Sequence, residues 1–570
     1  CREPPADVRS RFFAGETVIT MATNELTVFT ARKIITMNRS WPHATAIATK
    51  NGRIVEVGTL ETLKPWLEAH PYHINDQFAD KVVVPGFIDP HLHPSMAAVL
   101  LPMRFITATR WELPWETVQP VTTPEDFSRR LHELHSELTP DEPLFTWGYH
   151  QLWHGPMKRE LLNAVSNDRP IIVWHRSFHE LYMNDAAMEW LGITANEAAG
   201  KQQIDLAAGR FYENGLAYAI VKLNPYILSN ERYQDGLRRL VEVAHHGGHT
   251  TLGDMAVGLF NFDMEWQGTK DVLGSENTPF RTVLVPSAAN IASIQGGHDQ
   301  ALSFIEALAD RDTERLLFPK HVKLFTDGAF FSQLAQLKEP GYIDGHLGEW
   351  LVAPEQFIDI ARRYWNAGYK IHVHCTGDLG LELALDALDT LQWERPRFDH
   401  RYTIEHFGFS TPEQVARIAA LGALVSANVY YVHELSAIYA QQGIGHERAD
   451  QMARVGSCVR AGIRTAVHSD FTMAPASPLN NAWVASTRRN LDGDVVCPEE
   501  TLTLDQALAA ITIDAAYVLG MEEEIGSLRA GKSADFTVLD TDPYAVGVEG
   551  LKDIAVDATV FKGTAHLING

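Results

Sequence analysis

The chain reads as an α/β protein: a (β/α)8 barrel of the TIM type set between two β-rich ends, with an insertion after its first barrel strand. Three observations predict this. Short apolar, strand-like runs alternate with helical stretches through most of the 570 residues. Both ends of the chain carry clusters of short strands. The first two barrel strands stand about 160 residues apart, where a βα connection ordinarily takes only a few.

The elements follow in order. Residues 1–25 are set aside as an upstream extension or a remnant of cloning, since the chain opens at Cys1 and its first methionine is Met21. Short strands then occupy 27–31, 33–37 and 44–48, and a further one runs over 53–58 behind the turn pair Asn51-Gly52. The C-terminal end echoes them at 536–539 and 555–563, so 26–81 and 521–570 are expected to join in one small β domain. Eight candidate barrel strands fall at 82–89, 250–254, 281–287, 320–326, 369–375, 401–406, 423–428 and 464–470, separated by helical stretches such as 354–368, 379–391, 412–422 and 504–520. The barrel thus spans 82–520. Within it, 97–240 reads largely as an insertion domain over the barrel mouth, with strands and aromatics of its own at 145–155 and 169–175.

Composition narrows the function. A formal charge of −24 opposes binding to nucleic acid or an anionic membrane, because the long-range field repels phosphate; solubility is its plainer consequence. Four cysteines in so long a chain make no disulfide framework and fit a reducing compartment. No run approaches the 18 or so apolar residues of a membrane span, and residues 1–20 lack the basic start and apolar stretch of a secretory signal. The expectation is a cytoplasmic protein acting on a small molecule, with a homodimer left open.

The chemistry is carried by residues at the C-terminal ends of the strand-like runs. His91 and His93 close the run that begins at Val82; at i and i+2 on a strand their imidazoles share one face, where one cation could bind both. Such a pair also occurs as ordinary hydrogen-bonded histidines. Lys323, His374, His406 and Asp470 close later runs in the same way, and recurrence at one end of successive strands is what a barrel active site requires. Cys375 follows His374 but faces the opposite side, which favours a packing thiol.

Taken in order, the motifs resemble the amidohydrolase superfamily, and within it the YtcJ-like branch (amidohydrolase family 3) that includes N-substituted formamide deformylases. The resemblance runs from about residue 26 to the end. It is carried by Asn51-Gly52-Arg53-Ile54-Val55-Glu56-Val57-Gly58, then Pro85-Gly86-Phe87-Ile88-Asp89-Pro90-His91-Leu92-His93, the Trp-rich stretch 147–153, the positions of His179 and Asn184, Ile525-Gly526-Ser527-Leu528, and Ala530-Gly531-Lys532-Ser533-Ala534-Asp535. It implies a distorted barrel beside a composite β-sandwich built from both chain ends. It also implies that His91 and His93 bind one divalent ion, usually zinc, that His374 and His406 bind a second, and that carboxylated Lys323 bridges them. Asp470 completes the first site and acts on the water.

Zinc accepts such nitrogen and oxygen ligands and leaves a position open for water. The implied reaction is hydrolysis of an amide-type C–N bond other than a peptide bond, in an N-acyl or N-formyl amine, by metal-activated hydroxide with Asp470 as general base and acid. A cyclic amide, a lactone or a deaminated heterocycle on the same metal core stays open. So does a silent regulatory barrel, although every ligand position carries the residue type the reaction needs. Lys323 could instead pair with Asp327. His179 belongs to the part of the insertion that approaches substrate, and Trp147, Tyr149, Trp153 and Phe178 could line its pocket or form the insertion's core. Asp89 and Glu405 are candidates to hold a ligand's second nitrogen, but as neighbours of ligands they should face away. Asp327 and Asp378 should shape the rim or cap helices. His372 reads as core, His245, His246 and His249 make no complete set, and His468 departs from the small residue common at its position and should narrow the pocket floor.

Overall fold

The computed structural model describes residues 25–568, so the expected extension at 1–25 lies outside the described residues but for its last position. An eight-stranded sheet gathers both ends of the chain. Its order is Thr564–Leu567, Val556–Phe561, Phe536–Leu539, Val82–Pro85, Leu26–Ile35, His43–Lys50 and Arg53–Gly58, with Tyr72–Asn75 beside Leu26–Ile35. Phe29, Ile34, Ile47, Val83, Phe536 and Val560 pack on one face of it. Asn51 and Gly52 both have positive φ, 50° and 75°, which the tight hairpin between His43–Lys50 and Arg53–Gly58 demands.

Parallel strands form two further sheets. One holds Phe87–Leu92, His249–Val257, Arg281–Pro286 and the short Leu316–Leu317; the other holds His321–Phe325, Lys370–Cys375, Thr403–His406, Leu424–Ala427 and Thr465–Val467. All nine residues of His249–Val257 are buried, as expected of a parallel strand covered on both faces. The sheets adjoin at both seams. Ser287 bridges Lys323 in parallel at one. At the other, the Asp470 N–H donates to the His91 carbonyl at 3.0 Å.

Three features differ from the sequence reading. The run expected as one strand over 82–89 is two: Val82–Pro85 joins the sheet of the chain ends, and Phe87–Leu92 joins the parallel sheet. Gly86 is the splice, because its backbone lies where a Cβ would stand 2.0 Å from Thr250 Oγ1. Leu316–Leu317 adds a short strand that no periodicity announced. The helix expected over 504–520 is two, Leu504–Ala510 and Ile513–Val518, and the break turns the Ile511 carbonyl toward the Ile88 N–H at 3.0 Å.

The Ser533-Ala534-Asp535 stretch ties the end-built sheet to the parallel one. Asp535 forms a buried pair with Arg281 at 2.5 Å, and Ser533 Oγ accepts from the same guanidinium at 3.1 Å. The insertion builds a mixed six-stranded sheet in the order Ile204–Asp205, Arg210–Tyr212, Glu180–Met183, Ile171–His175, Leu144–Tyr149 and Arg104–Phe105. Its core is continuous with Leu92 and Leu252 of the parallel layer and with Met96 on the helix Pro94–Leu100, so the insertion is packed onto the strand ends. Among the described residues no helix is long and apolar enough to cross a membrane.

The splice is testable. Gly86→Ala should lower unfolding stability by ~1–3 kcal/mol through overpacking against Thr250, read as a fall in the denaturation midpoint; an unchanged midpoint would show slack at that joint.

Candidate functional site

The six residues singled out at strand ends converge on one buried centre. His91 lies on Phe87–Leu92 and His93 directly after it, their ring centroids 5.1 Å apart. Lys323 is the middle residue of His321–Phe325, and its Nζ stands 3.5 Å from His91 Nε2. His374 and His406 approach to 4.4 Å between centroids, and His406 lies 4.5 Å from His91. Asp470 closes the ring: its Oδ1 is 3.0 Å from His93 Nε2 and 3.7 Å from His91 Nε2, and its Oδ2 is 3.5 Å from His406 Nδ1. The possible ligand atoms of His91, His93 and Asp470 all lie within 4.8 Å of one another.

Backbone geometry explains two of these placements. His406 and Asp470 have φ of 70° and 52°, a left-handed conformation uncommon outside glycine. At His406 this ends the alternation of the strand, so Glu405 and His406 both reach the centre. Sequence reasoning set Glu405 aside because neighbouring strand residues face apart; the structure corrects that. Glu405 Oε2 accepts from His91 Nδ1 at 2.6 Å, and its Oε1 accepts from His372 Nδ1 at 2.6 Å. His372 in turn stands 2.9 Å from His321 Nδ1 through its Nε2. Asp89 takes a different part: its carboxylate accepts from Ser469 Oγ and from the N–H groups of Ser469 and His91, both at 3.2 Å, which fixes the turn carrying Asp470. Burial pushes Asp89 up to about 7.

Burial also governs the imidazoles. It holds His91, His374 and His406 well below the usual histidine range, so each stays neutral with a lone pair available. His93 Nδ1, His374 Nε2, His406 Nδ1 and His468 Nε2 are buried without a hydrogen-bond partner. Each such nitrogen costs about 1–3 kcal/mol when left unpaired, and the gathering of the His374, His406 and His468 rings where His93 Nε2 meets Asp470 fits a bound cation. Burial pulls Lys323 down to about 8. The pairing of Lys323 with Asp327 is not what the structure has. Asp327 accepts the N–H groups of Gln336, Gly377 and Thr376 at 2.8–3.1 Å, knitting the loops of the rim, and burial raises it to about 6. Asp378 likewise accepts the Lys338 N–H at 2.9 Å.

Above the centre lies a cavity of about 410 Å³ reached by His93, Lys323, His374, His406 and Asp470. Phe178, Phe260, Phe325, Phe330, Phe331 and Met473 make much of its wall. His179 lines it too, from the insertion. Its Nδ1 sits 3.0–3.1 Å from both Glu213 oxygens and its ring 6.3 Å from that of His374. Burial opposes charge on His179, but the Glu213 carboxylate outweighs it and leaves the histidine above its ordinary value. Trp147 and Tyr149, expected as substrate contacts, line no part of this cavity. Trp147 is buried against Phe105 and Trp111, and the Tyr149 hydroxyl donates to the Gly155 carbonyl at 2.6 Å. Trp153 packs on the insertion's core, whereas Phe178 does reach the cavity. The loop aromatics Phe330 and Phe331 were missed; the pair Phe330-Phe331 just beyond Asp327 was the available signal.

A family model described as the amidohydrolase family matches residues 79–565. The chain is 25% identical over 541 residues to an N-substituted formamide deformylase from Arthrobacter pascens, covering 91% of this chain and 94% of that protein. It is 22% identical to the putative amidohydrolase YtcJ of Bacillus subtilis, covering 93% and 97% respectively. An uncharacterized metal-dependent hydrolase from Pyrococcus horikoshii superposes with a TM-score of 0.70 at 22% identity, over 92% of this chain and 99% of its own. The matched segment contains both parallel sheets and every residue of the buried centre, and the chain belongs to the amidohydrolase family.

Proposed function

We propose that this chain is a metal-dependent hydrolase cleaving an exocyclic amide C–N bond, in a neutral N-acyl or N-formyl amine with a bulky apolar substituent. The observation that carries the reading is the buried convergence of His91, His93 and Asp470 within 4.8 Å, beside unpartnered imidazole nitrogens. His91, His93 and Asp470 would hold one divalent ion and His374 and His406 a second, with carboxylated Lys323 between them; the donor set suits zinc. When bound, such an ion brings the pKa of a water to roughly 7 and polarises a carbonyl.

The chain's own groups supply the rest. Asp470 faces the cavity at the head of the ring, where its carboxylate takes the proton of the attacking water and returns it to the departing amine nitrogen. With burial drawing Lys323 to about 8, roughly a tenth of it is free amine at pH 7, the form that reacts with carbon dioxide. His179, held through Nδ1 by Glu213, has Nε2 left to donate to the substrate carbonyl. Among the described residues lining the cavity, Lys323 is the sole lysine or arginine, which suits a neutral substrate better than an anionic one. The phenylalanine wall favours an apolar group instead. Similarity to a formamide deformylase over nearly the whole of both chains supports the exocyclic amide.

Metal analysis of the protein with added bicarbonate should find two ions per chain; none would refute the mechanism. Asp470→Asn should keep metal bound and lower kcat by ~10²–10⁴-fold, whereas a wild-type rate would remove Asp470 from its role. Glu405→Gln should weaken metal binding ~10–100-fold, since it loosens the hold on His91 Nδ1. In a panel of formamides, acyl amines and lactones, kcat/KM should be highest for amides with aryl or long alkyl groups. Turnover of lactones alone would overturn the assigned bond.

A further inference from the structure

We propose that His468 is a further metal ligand, forming with His91 and His406 a three-imidazole seat for a divalent ion beneath the set of His91, His93 and Asp470. The inference rests on the metal-dependent reading above and deepens it. Neither the strand-end pattern nor the set of six residues includes His468.

Position comes first. His468 directly follows the strand Thr465–Val467 and stands two residues before Asp470, which puts its ring one layer lower in the same interior. It is fully buried. Its ring centroid lies 4.4 Å from that of His91 and 5.3 Å from that of His406. One possible ligand atom from each of His91, His406 and His468 falls within 4.8 Å of the other two.

The hydrogen-bond inventory then separates a ligand from a packed core histidine. His372 is the counterpart, two residues before His374 as His468 is two before Asp470, and both its nitrogens are used: Nδ1 by Glu405 and Nε2 by His321. His468 is half satisfied. Its Nδ1 lies 2.7 Å from Ser426 Oγ, while its Nε2 is buried with no partner. One nitrogen fixed by a neighbouring hydroxyl and the other left free is the pattern of a ligating imidazole with its outer-shell partner.

The seat has a consequence for occupancy. His91 Nδ1 is committed to Glu405, which leaves Nε2, with Lys323 Nζ 3.5 Å away, as the one nitrogen for an ion, and a single imidazole nitrogen serves one ion at a time. The seat with His93 and Asp470 and the seat with His406 and His468 are therefore alternatives for the ion on His91. Occupying the lower seat takes His406 away from a second ion and frees the Asp470 carboxylate. The lower seat thus belongs to a one-ion state, and its all-imidazole set selects zinc or cobalt over manganese or magnesium.

The test uses the full chain stripped of metal, in buffer free of bicarbonate, titrated with cobalt(II) and read by its visible spectrum and by bound metal per chain. Wild type should take up one cobalt. His468→Gln should bind it more than ~100-fold more weakly, beyond the loss expected for an outer-shell partner, with a changed spectrum. A His468→Gln protein that binds cobalt with wild-type affinity and spectrum overturns this seat and leaves the metal-dependent reading standing. A wild type that binds no cobalt overturns that reading as well. X-ray absorption of the wild-type cobalt protein keeps the proposal testable should the variant not fold: three imidazoles on the ion support the seat, and two with a carboxylate overturn it.

Discussion

The seam between the first and last parallel strands is the constraint on which the site depends. Asp89 and Ser469 lie 380 positions apart, yet the Asp89 carboxylate accepts from both the hydroxyl and the N–H of Ser469 while the Asp470 N–H reaches the His91 carbonyl. These bonds bring a histidine pair from the start of the layer against a carboxylate from its end. A buried carboxylate costs stability unless donors surround it, and Asp89 has three. Loss of that local match would separate His93 from Asp470 without disturbing any strand.

Below the seam, polar groups are arranged in two unlike ways. The line His91, Glu405, His372 and His321 is hydrogen-bonded throughout, so it is rigid and fixes the ring of His91. One nitrogen each of His374, His406 and His468 at the centre is unpaired, as is His93 Nδ1, while His93 Nε2 faces Asp470. A protein interior tolerates a few such groups only where function compensates, and here they are gathered in one place. An ion that binds them adds stability to the fold in proportion to its concentration over its dissociation constant, so the centre and the layer beneath it are linked energetically.

Much of this arrangement was legible in the sequence because buried parallel strands are continuous apolar runs, and polar residues at their ends stand out against them. His91, His93, Lys323, His374, His406 and Asp470 were readable for that reason. Glu405 was not, because it keeps the register of His374 while His406 reaches the centre through a left-handed φ of 70°, and no residue type announces such a conformation. Gly86 was not, because the switch of a strand from one sheet to another depends on Thr250, more than 160 positions away in sequence and in contact only after folding. His468 was visible but could not be weighed, since its meaning lies in which of its nitrogens Ser426 occupies.

The insertion shows where residue type alone runs out. Trp147, Tyr149, Phe178 and His179 come from one short stretch of similar composition, yet two are core and two face the cavity. Leu144–Tyr149 is an interior strand of the insertion's sheet, flanked by Ile171–His175 and Arg104–Phe105, so both faces of Trp147 and Tyr149 are consumed by packing. Phe178 and His179 lie on the turn between Ile171–His175 and Glu180–Met183, where Phe178 takes φ of 65° and the chain leaves the sheet toward the strand ends. A turn held by a rigid sheet is free of the packing constraint that fixes the tryptophans, and it is anchored by Glu213 from another segment of the insertion. On the proposed reading, substrate selection in this chain can therefore change at Phe178, His179 and Glu213 while the sheet beneath and the buried centre stay the same.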